Sequence, residues 1–198
     1  IVLGTSLQAL TPLRLIYYGD SREHWDNLAR QTSGFQSASK HGQQRGYDVL
    51  KLDYGNNNIG SDPHESELHT RINNLLQLNA ASLSNHDSDI GAANLSASLS
   101  KATDPTLASN LSIPTNNRLY QSLLKGHLQN VPRIVNGNFG KYGLIGVSPP
   151  NLSNLVGSHV DLGKLKALSL EGTILHVQSQ INALQQQGIN RIVVISHM

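Results

Sequence analysis

The sequence predicts an α/β fold, a β-sheet structure flanked by helices with its chemistry at strand ends. Three observations carry that expectation. Short β-prone runs alternate with stretches of helical period, which is the rhythm of βαβ units. The early runs stop at a glycine followed by a ligand-type side chain, as in Gly19-Asp20 and Gly55-Asn56. Late in the chain, Arg191-Ile192-Val193-Val194-Ile195 is an apolar run suited to a central strand buried on both faces, and it ends at Ser196-His197.

Taken in order, Leu13 to Tyr18 is the first strand, rich in aromatic and branched residues and delivering Asp20 at its end. Helical turns run from Trp25 to about Gln44, with Trp25, Leu28, Ala29 and Phe35 as apolar positions before Gly46. Tyr47 to Tyr54 is the second strand and enters a flexible tip, Gly55-Asn56-Asn57-Asn58-Ile59-Gly60. Pro63 to Leu78 is a helix on the spacing of Leu68, Ile72, Leu75 and Leu76, with Glu65 and Glu67 near its positive end. Ala80 to Leu83 is a short third strand, Ala92 to Lys101 a small helix, and Asp104-Pro105 closes that helix before a strand from Thr106 to Leu111.

Residues 112–140 carry little signal until Asn136-Gly137, which marks a tight hairpin with Lys141 to Val147 as the returning strand. Ser148-Pro149-Pro150 breaks the pattern, and Asn151 to Leu170 reads as loop with a helical turn. Ile174, Val177, Ile181 and Leu184 line one face of a last helix that stops at Gly188.

Composition narrows the chemistry. With 15 Lys+Arg against 13 Asp+Glu, the net charge of +2 is too small and dispersed for a nucleic-acid footprint. Zero cysteines exclude disulfides, thiolate metal sites and a Cys nucleophile, so a metal here would rest on His, Asp, Glu or Asn. No apolar run approaches the roughly 20 residues of a membrane span.

The densest chemistry is Ser84-Asn85-His86-Asp87-Ser88-Asp89. Asn supplies a neutral oxygen ligand, His a nitrogen that binds metal or moves a proton, and Asp can orient that ring. The same residue types also make ordinary turns by bonding their own backbone. Its neighbours in the fold decide between the two. Strand ends present Asp20, Asn56, Asn85-His86 and His197 in that order, the ligand classes of a site for paired hard or borderline divalent cations.

These motifs make the chain resemble the calcineurin-like metallophosphoesterases, in particular the N-terminal domain of the secreted 5′-nucleotidase and UDP-sugar hydrolase family. Leu13 to Asp20 is similar to the strand carrying Asp-x-His, Asp48 to Asn56 to the strand ending in Gly-Asp, and Ser84 to Asp89 to Gly-Asn-His-Asp/Glu-Phe-Asp. Ala108-Ser109-Asn110-Leu111 is similar to the family's Ala-Asn segment, Gly143 to Pro149 to its Gly-x-Ile-Gly strand, and Ile195-Ser196-His197 to the strand with a metal-binding His. The resemblance implies a four-layer metallophosphatase fold, a β-sheet sandwich between helices. It implies two divalent ions drawn from Mn, Zn, Ca or Mg, or none where the site is degenerate. It also implies a nucleotide or other phosphomonoester as substrate, an extracellular, periplasmic or cell-surface location, and a C-terminal domain that governs specificity. Residues 1–12 are then an extension or linker, and residues 13–198 the domain, incomplete at its C-terminal end.

By the same resemblance Asp20 holds the first metal, Asn85 and His197 the second, and Asn56 bridges both. His86 meets the phosphate or its leaving group, oriented by Asp89. Two positions depart from the pattern. Arg22 stands where the family has the His of Asp-x-His and cannot ligate, with His24 a substitute two residues on. Asn56 stands where the family has the bridging Asp, and a neutral amide does not neutralise two cations. Two functions follow: a metal-dependent phosphoesterase of 5′-nucleotidase type with activity reduced or lost, or an inactive module of the same fold with a structural, adhesive or surface-assembly role. His41, His64, His69, His127, His159 and His176 have no motif support and read as ordinary histidines, and Asp53 has no matching role.

Overall fold

A computed structural model describes residues 12–21, 25–57 and 62–197. Arg22, His24, Met198 and all of the expected N-terminal extension except Pro12 lie outside the described residues.

The described residues begin with β1 (Leu13–Tyr18), α1 (Trp25–Gln44) and β2 (Asp48–Asp53), a parallel βαβ unit as the sequence predicts. Next come α2 (Pro63–Leu76), β3 (Ala80–Ser82), a 3-10 turn (His86–Ser88) and α3 (Gly91–Leu99). Asp62 caps α2 by accepting from the His64 N–H at 2.8 Å, and Gln77 ends it in a left-handed conformation, two residues earlier than the periodicity suggests. Residues 106–129 supply β4 (Thr106–Leu107), β5 (Leu111–Ser112), α4 (Leu119–Leu124) and β6 (Leu128–Gln129). The remainder forms β7 (Arg133–Gly137), β8 (Gly140–Val147), α5 (Leu152–Leu155), β9 (Lys166–Ala167), α6 (Leu170–Gln186) and β10 (Arg191–Ser196).

Five parallel strands in the order β1-β2-β3-β4-β6 make the first sheet, and β10-β8-β7 make the second. Leu50, Leu52, Ala80 and Leu107 of the first sheet pack on Tyr142, Leu144 and Ile195 of the second, forming the centre of a sandwich. Phe35, Ile72 and Leu76 bring α1 and α2 against Ile16 and Tyr18 on the outer face of the first sheet. Val177, Ile181 and Leu184 bring α6 against Ile145 and Val147 of the second. The resulting layers, helices, sheet, sheet and helix, are the four-layer architecture expected.

Three details differ from the expectation. The apolar run at 191–196 lies at a sheet edge among the described residues, where β10 pairs with β8 alone and Val194 is 46 % exposed. The central place goes to β8, whose Tyr142 to Val147 are all buried between its two neighbours. Asn136-Gly137 is not the turn of the hairpin, because the register pairs Gly137 with Gly140 and leaves Asn138-Phe139 as the loop. Gly137 is needed there for contact instead, since a Cβ would lie 2.4 Å from a carboxylate oxygen of Asp48. The segment from Asn151 to Leu170 contains β9, which pairs antiparallel with β5; a two-residue strand leaves no periodicity to read.

Candidate active site

The C-terminal ends of β1, β2 and β3 bring their polar tips together. Asp20 N–H donates to the Gly55 carbonyl at 2.8 Å, and the Ser21 hydroxyl donates to Asn57 Oδ1 at 3.0 Å. Gly55 and Asn56 both have positive φ, 85° and 65°. Glycine is required at 55, since a Cβ would meet the Ser82 carbonyl at 2.6 Å and Asp87 at 2.8 Å. Asn is among the few other residues that tolerate this region.

The tip is fastened from below by two carboxylates that no motif singled out for this task. Asp87 accepts from the Asn56 N–H at 3.0 Å, the Asn57 N–H at 3.2 Å, and both the N–H and the hydroxyl of Ser84 at 3.0 and 2.8 Å. Asp53, 2 % exposed, accepts from the Gly55 N–H at 2.8 Å, from the Asn57 amide at 2.8 Å and from the Asn73 amide at 3.0 Å. Burial, reinforced by the nearby Asp87 charge, pushes the Asp53 carboxyl up to about 7, against the pull of those N–H donors. The Tyr18 hydroxyl donates to Asn73 Oδ1 and completes the network. The sequence signal for these roles was weak: a glycine-asparagine tip turns N–H groups outward, and those groups need an acceptor.

The structure brings His86 and Asp89 together. His86 Nδ1 lies 2.7 Å from Asp89 Oδ2 across the 3-10 turn. An aspartate accepts, so Nδ1 carries the hydrogen and Nε2 is left for a ligand. Asn85, one residue before, is half-buried, and its side-chain amide enters none of the hydrogen bonds among the described residues.

Of the four expected ligands, Asp20 and Asn56 meet directly. Asn56 Nδ2 donates to Asp20 Oδ1 at 2.6 Å, so that buried amide is engaged within the protein, and its Oδ1 lies 3.3 Å from Ser84 Oγ, whose one hydrogen goes to Asp87. His197 stacks on Tyr54, with planes 1° apart and centroids separated by 5.9 Å. Together Asp20, Asn56, Asn85 and His197 offer one carboxylate, two neutral amides and one imidazole. That donor set does not fit a pair of divalent cations, which would face a single formal negative charge. Among the described residues there is no group of three or more His, Cys, Asp or Glu side chains able to hold a metal. The substitute ligand His24 and the intruding Arg22 lie outside the described residues.

The fold itself is that of the calcineurin-like metallophosphoesterases, of the type found in 5′-nucleotidases. A 5′-nucleotidase precursor from Thermus thermophilus matches at a TM-score of 0.72 and 22% identity, over 93% of this chain and 36% of that one. NAD nucleotidase from Haemophilus influenzae matches at a TM-score of 0.66 and 23% identity, over 86% of this chain and 28% of that one. A calcineurin-like phosphoesterase from Bacillus subtilis matches at a TM-score of 0.61 and 18% identity, over 93% of this chain and 61% of that one. The chain thus spans about a third of the first two structures and under two thirds of the other. No protein-family model and no curated protein matches it by sequence. No helix among the described residues is long and apolar enough to cross a membrane.

Proposed function

We propose that this chain acts on phosphate esters, nucleotides foremost, as an extracytoplasmic phosphoesterase-fold domain of low hydrolytic activity. The observation that carries the reading is the 2.7 Å pairing of His86 Nδ1 with Asp89 Oδ2 at the end of β3. Asp89 holds the ring by its Nδ1 hydrogen and presents Nε2 to the ester. As a water oxygen bonds to phosphorus and releases a proton to solvent, the phosphorus–oxygen bond to the leaving group breaks and the proton on Nε2 passes to that oxygen, so inorganic phosphate forms and the alcohol departs neutral. The divalent ions that such a fold ordinarily uses would supply charge neutralisation and an activated water. Asp20, Asn56, Asn85 and His197 are the groups that would meet them, with too little charge for two, so no step is assigned to metal here. The test is phosphate release from AMP by the purified chain with Mn²⁺, Zn²⁺ or Ca²⁺. Turnover lost in His86→Ala supports the reading, and turnover indifferent to that change refutes it.

One observation favours a second reading, an inactive module with a structural, adhesive or surface-assembly role. The Asn56 amide already satisfies Asp20, so the tips of β1 and β2 are closed on each other without a cation. A chain that takes up no Mn²⁺ at millimolar concentration and releases no phosphate would belong to this reading.

A further inference from the structure

The candidate site draws on both sheets. Asp20, Asn56 and Asn85 follow β1, β2 and β3 of the first, whereas His197 follows β10 of the second. Among the described residues β10 pairs with β8 alone, so backbone hydrogen bonds do not fix His197 relative to the other three. Nor does any hydrogen bond among the described residues hold its imidazole. Its place rests on side chains packed between the sheets.

The ring against it is that of Tyr54, the residue after β2. The two planes are 1° apart and the centroids 5.9 Å apart, within the offset-stacked geometry that aromatic pairs prefer. Tyr54 is itself anchored. Its N–H donates to the Tyr18 carbonyl at 2.9 Å, its side chain packs on the inter-sheet core that contains Leu52 and Ile195, and Tyr17 lies tilted against it with centroids 6.4 Å apart. Gly19 leaves room for the ring, since a Cβ there would meet Tyr54 at 2.7 Å. A stack uses the face of the imidazole and neither nitrogen. The plane of His197 is thereby set while Nδ1 and Nε2 both stay open to a ligand.

Resting on the reading in which the strand ends meet a phosphate ester, we propose that Tyr54 is the positioning residue for His197. Its ring carries the imidazole across the gap between the sheets and fixes its plane without a cation. Asn56, two residues on, does the same for Asp20 through its amide. The tip of β2 therefore holds one group from each sheet, Asp20 by a hydrogen bond and His197 by a stacked face. No motif points to position 54.

Two measurements test it. The mobility of the His197 ring is followed in the full chain by NMR order parameters, its signals assigned by their loss in His197→Gln. The ring is expected to be ordered in the native chain and in Tyr54→Phe, and in Tyr54→Leu to become as mobile as that of the exposed His64. A ring equally ordered in Tyr54→Leu overturns the proposal. Phosphate release from AMP with Mn²⁺ is then measured in a double-mutant cycle. Tyr54→Leu is expected to lower kcat about tenfold in the native background, while Tyr54→Phe stays within about twofold of native. In His197→Gln the same Tyr54→Leu change should cost less than about twofold, because a residue that acts through another has no effect once that one is gone. Equal losses in both backgrounds would make Tyr54 a general support of the fold and overturn the proposal. A His197 ring freed by Tyr54→Leu in a chain that releases no phosphate leaves the positioning in place and refutes the hydrolase reading instead.

Discussion

The side-chain amide of Asn56 donates to Asp20 Oδ1 at 2.6 Å, which joins the ends of the first two strands where a carboxylate pair would repel. Replacing that amide by a carboxylate should exchange internal closure for cation dependence. Without metal, Asn56→Asp is expected to lose about 1–3 kcal/mol, because two carboxylates then meet at hydrogen-bonding distance. Millimolar Mn²⁺ should restore its thermal midpoint by several degrees while moving the native midpoint by less than about 1 °C. Equal responses of the two proteins would contradict this account of the amide.

Removing the imidazole and removing its orienting carboxylate should have different sizes. His86→Ala is expected to lower phosphate release from AMP by about a hundredfold or more. Asp89→Asn keeps the ring and should cost less, with the loss appearing in kcat more than in KM. Identical losses would show that Asp89 does more than orient.

Asp53 couples stability to pH. Its folded carboxyl sits at about 7, above an ordinary value of 3.8, so the folded state binds the proton more tightly than the unfolded chain. The resulting stabilisation is complete below the unfolded value and is lost as pH rises through about 7. Urea unfolding should therefore show a loss of a few kcal/mol between mildly acidic and mildly alkaline conditions, flattened in Asp53→Asn. A native pH slope that survives that substitution would place the titrating group elsewhere.

Asp87 should be a structural lock rather than a ligand. Asp87→Ala leaves the N–H groups of Asn56, Asn57 and Ser84 without their acceptor, at an expected cost of about 2–4 kcal/mol. Hydrogen exchange at Asn56 and Asn57 is the direct readout, and protection equal to that of the native protein would refute the lock.

Between the sheets, Asp48 plays a comparable part at the opposite end of β2. It accepts from the Asn138 N–H at 2.7 Å, the Phe139 N–H at 3.2 Å and the Tyr142 hydroxyl at 2.8 Å. Burial works against its charge, yet these donors hold its carboxyl below the ordinary range, so its contribution is lost as pH falls through that lowered value. Asp48→Ala is expected to destabilise by about 2–4 kcal/mol and to loosen the β7-β8 hairpin. A thermal midpoint unchanged from the native protein would count against this clamp.

Much of this protein is written locally. Leu13 to Tyr18, the helical spacing from Trp25 and the run at Arg191 carry their periods within a few residues, so strands and helices follow from the chain alone. His86 and Asp89 sit three residues apart and meet across one turn, so their pairing needs nothing distant. The order of the strand ends was equally legible, and with it the fold. Distance in sequence is what hid the rest. Asp87 finds two of its four donors about thirty residues upstream, and among the described residues β10 lies at a sheet edge beside β8, some fifty residues earlier. The stack of Tyr54 on His197 needs two separate sheets brought face to face, which no local period encodes. Residue identity alone determined that Asn56 could not be a charged bridge; the tertiary structure decided that its amide would close on Asp20, because only the parallel pairing of β1 with β2 sets the two tips side by side.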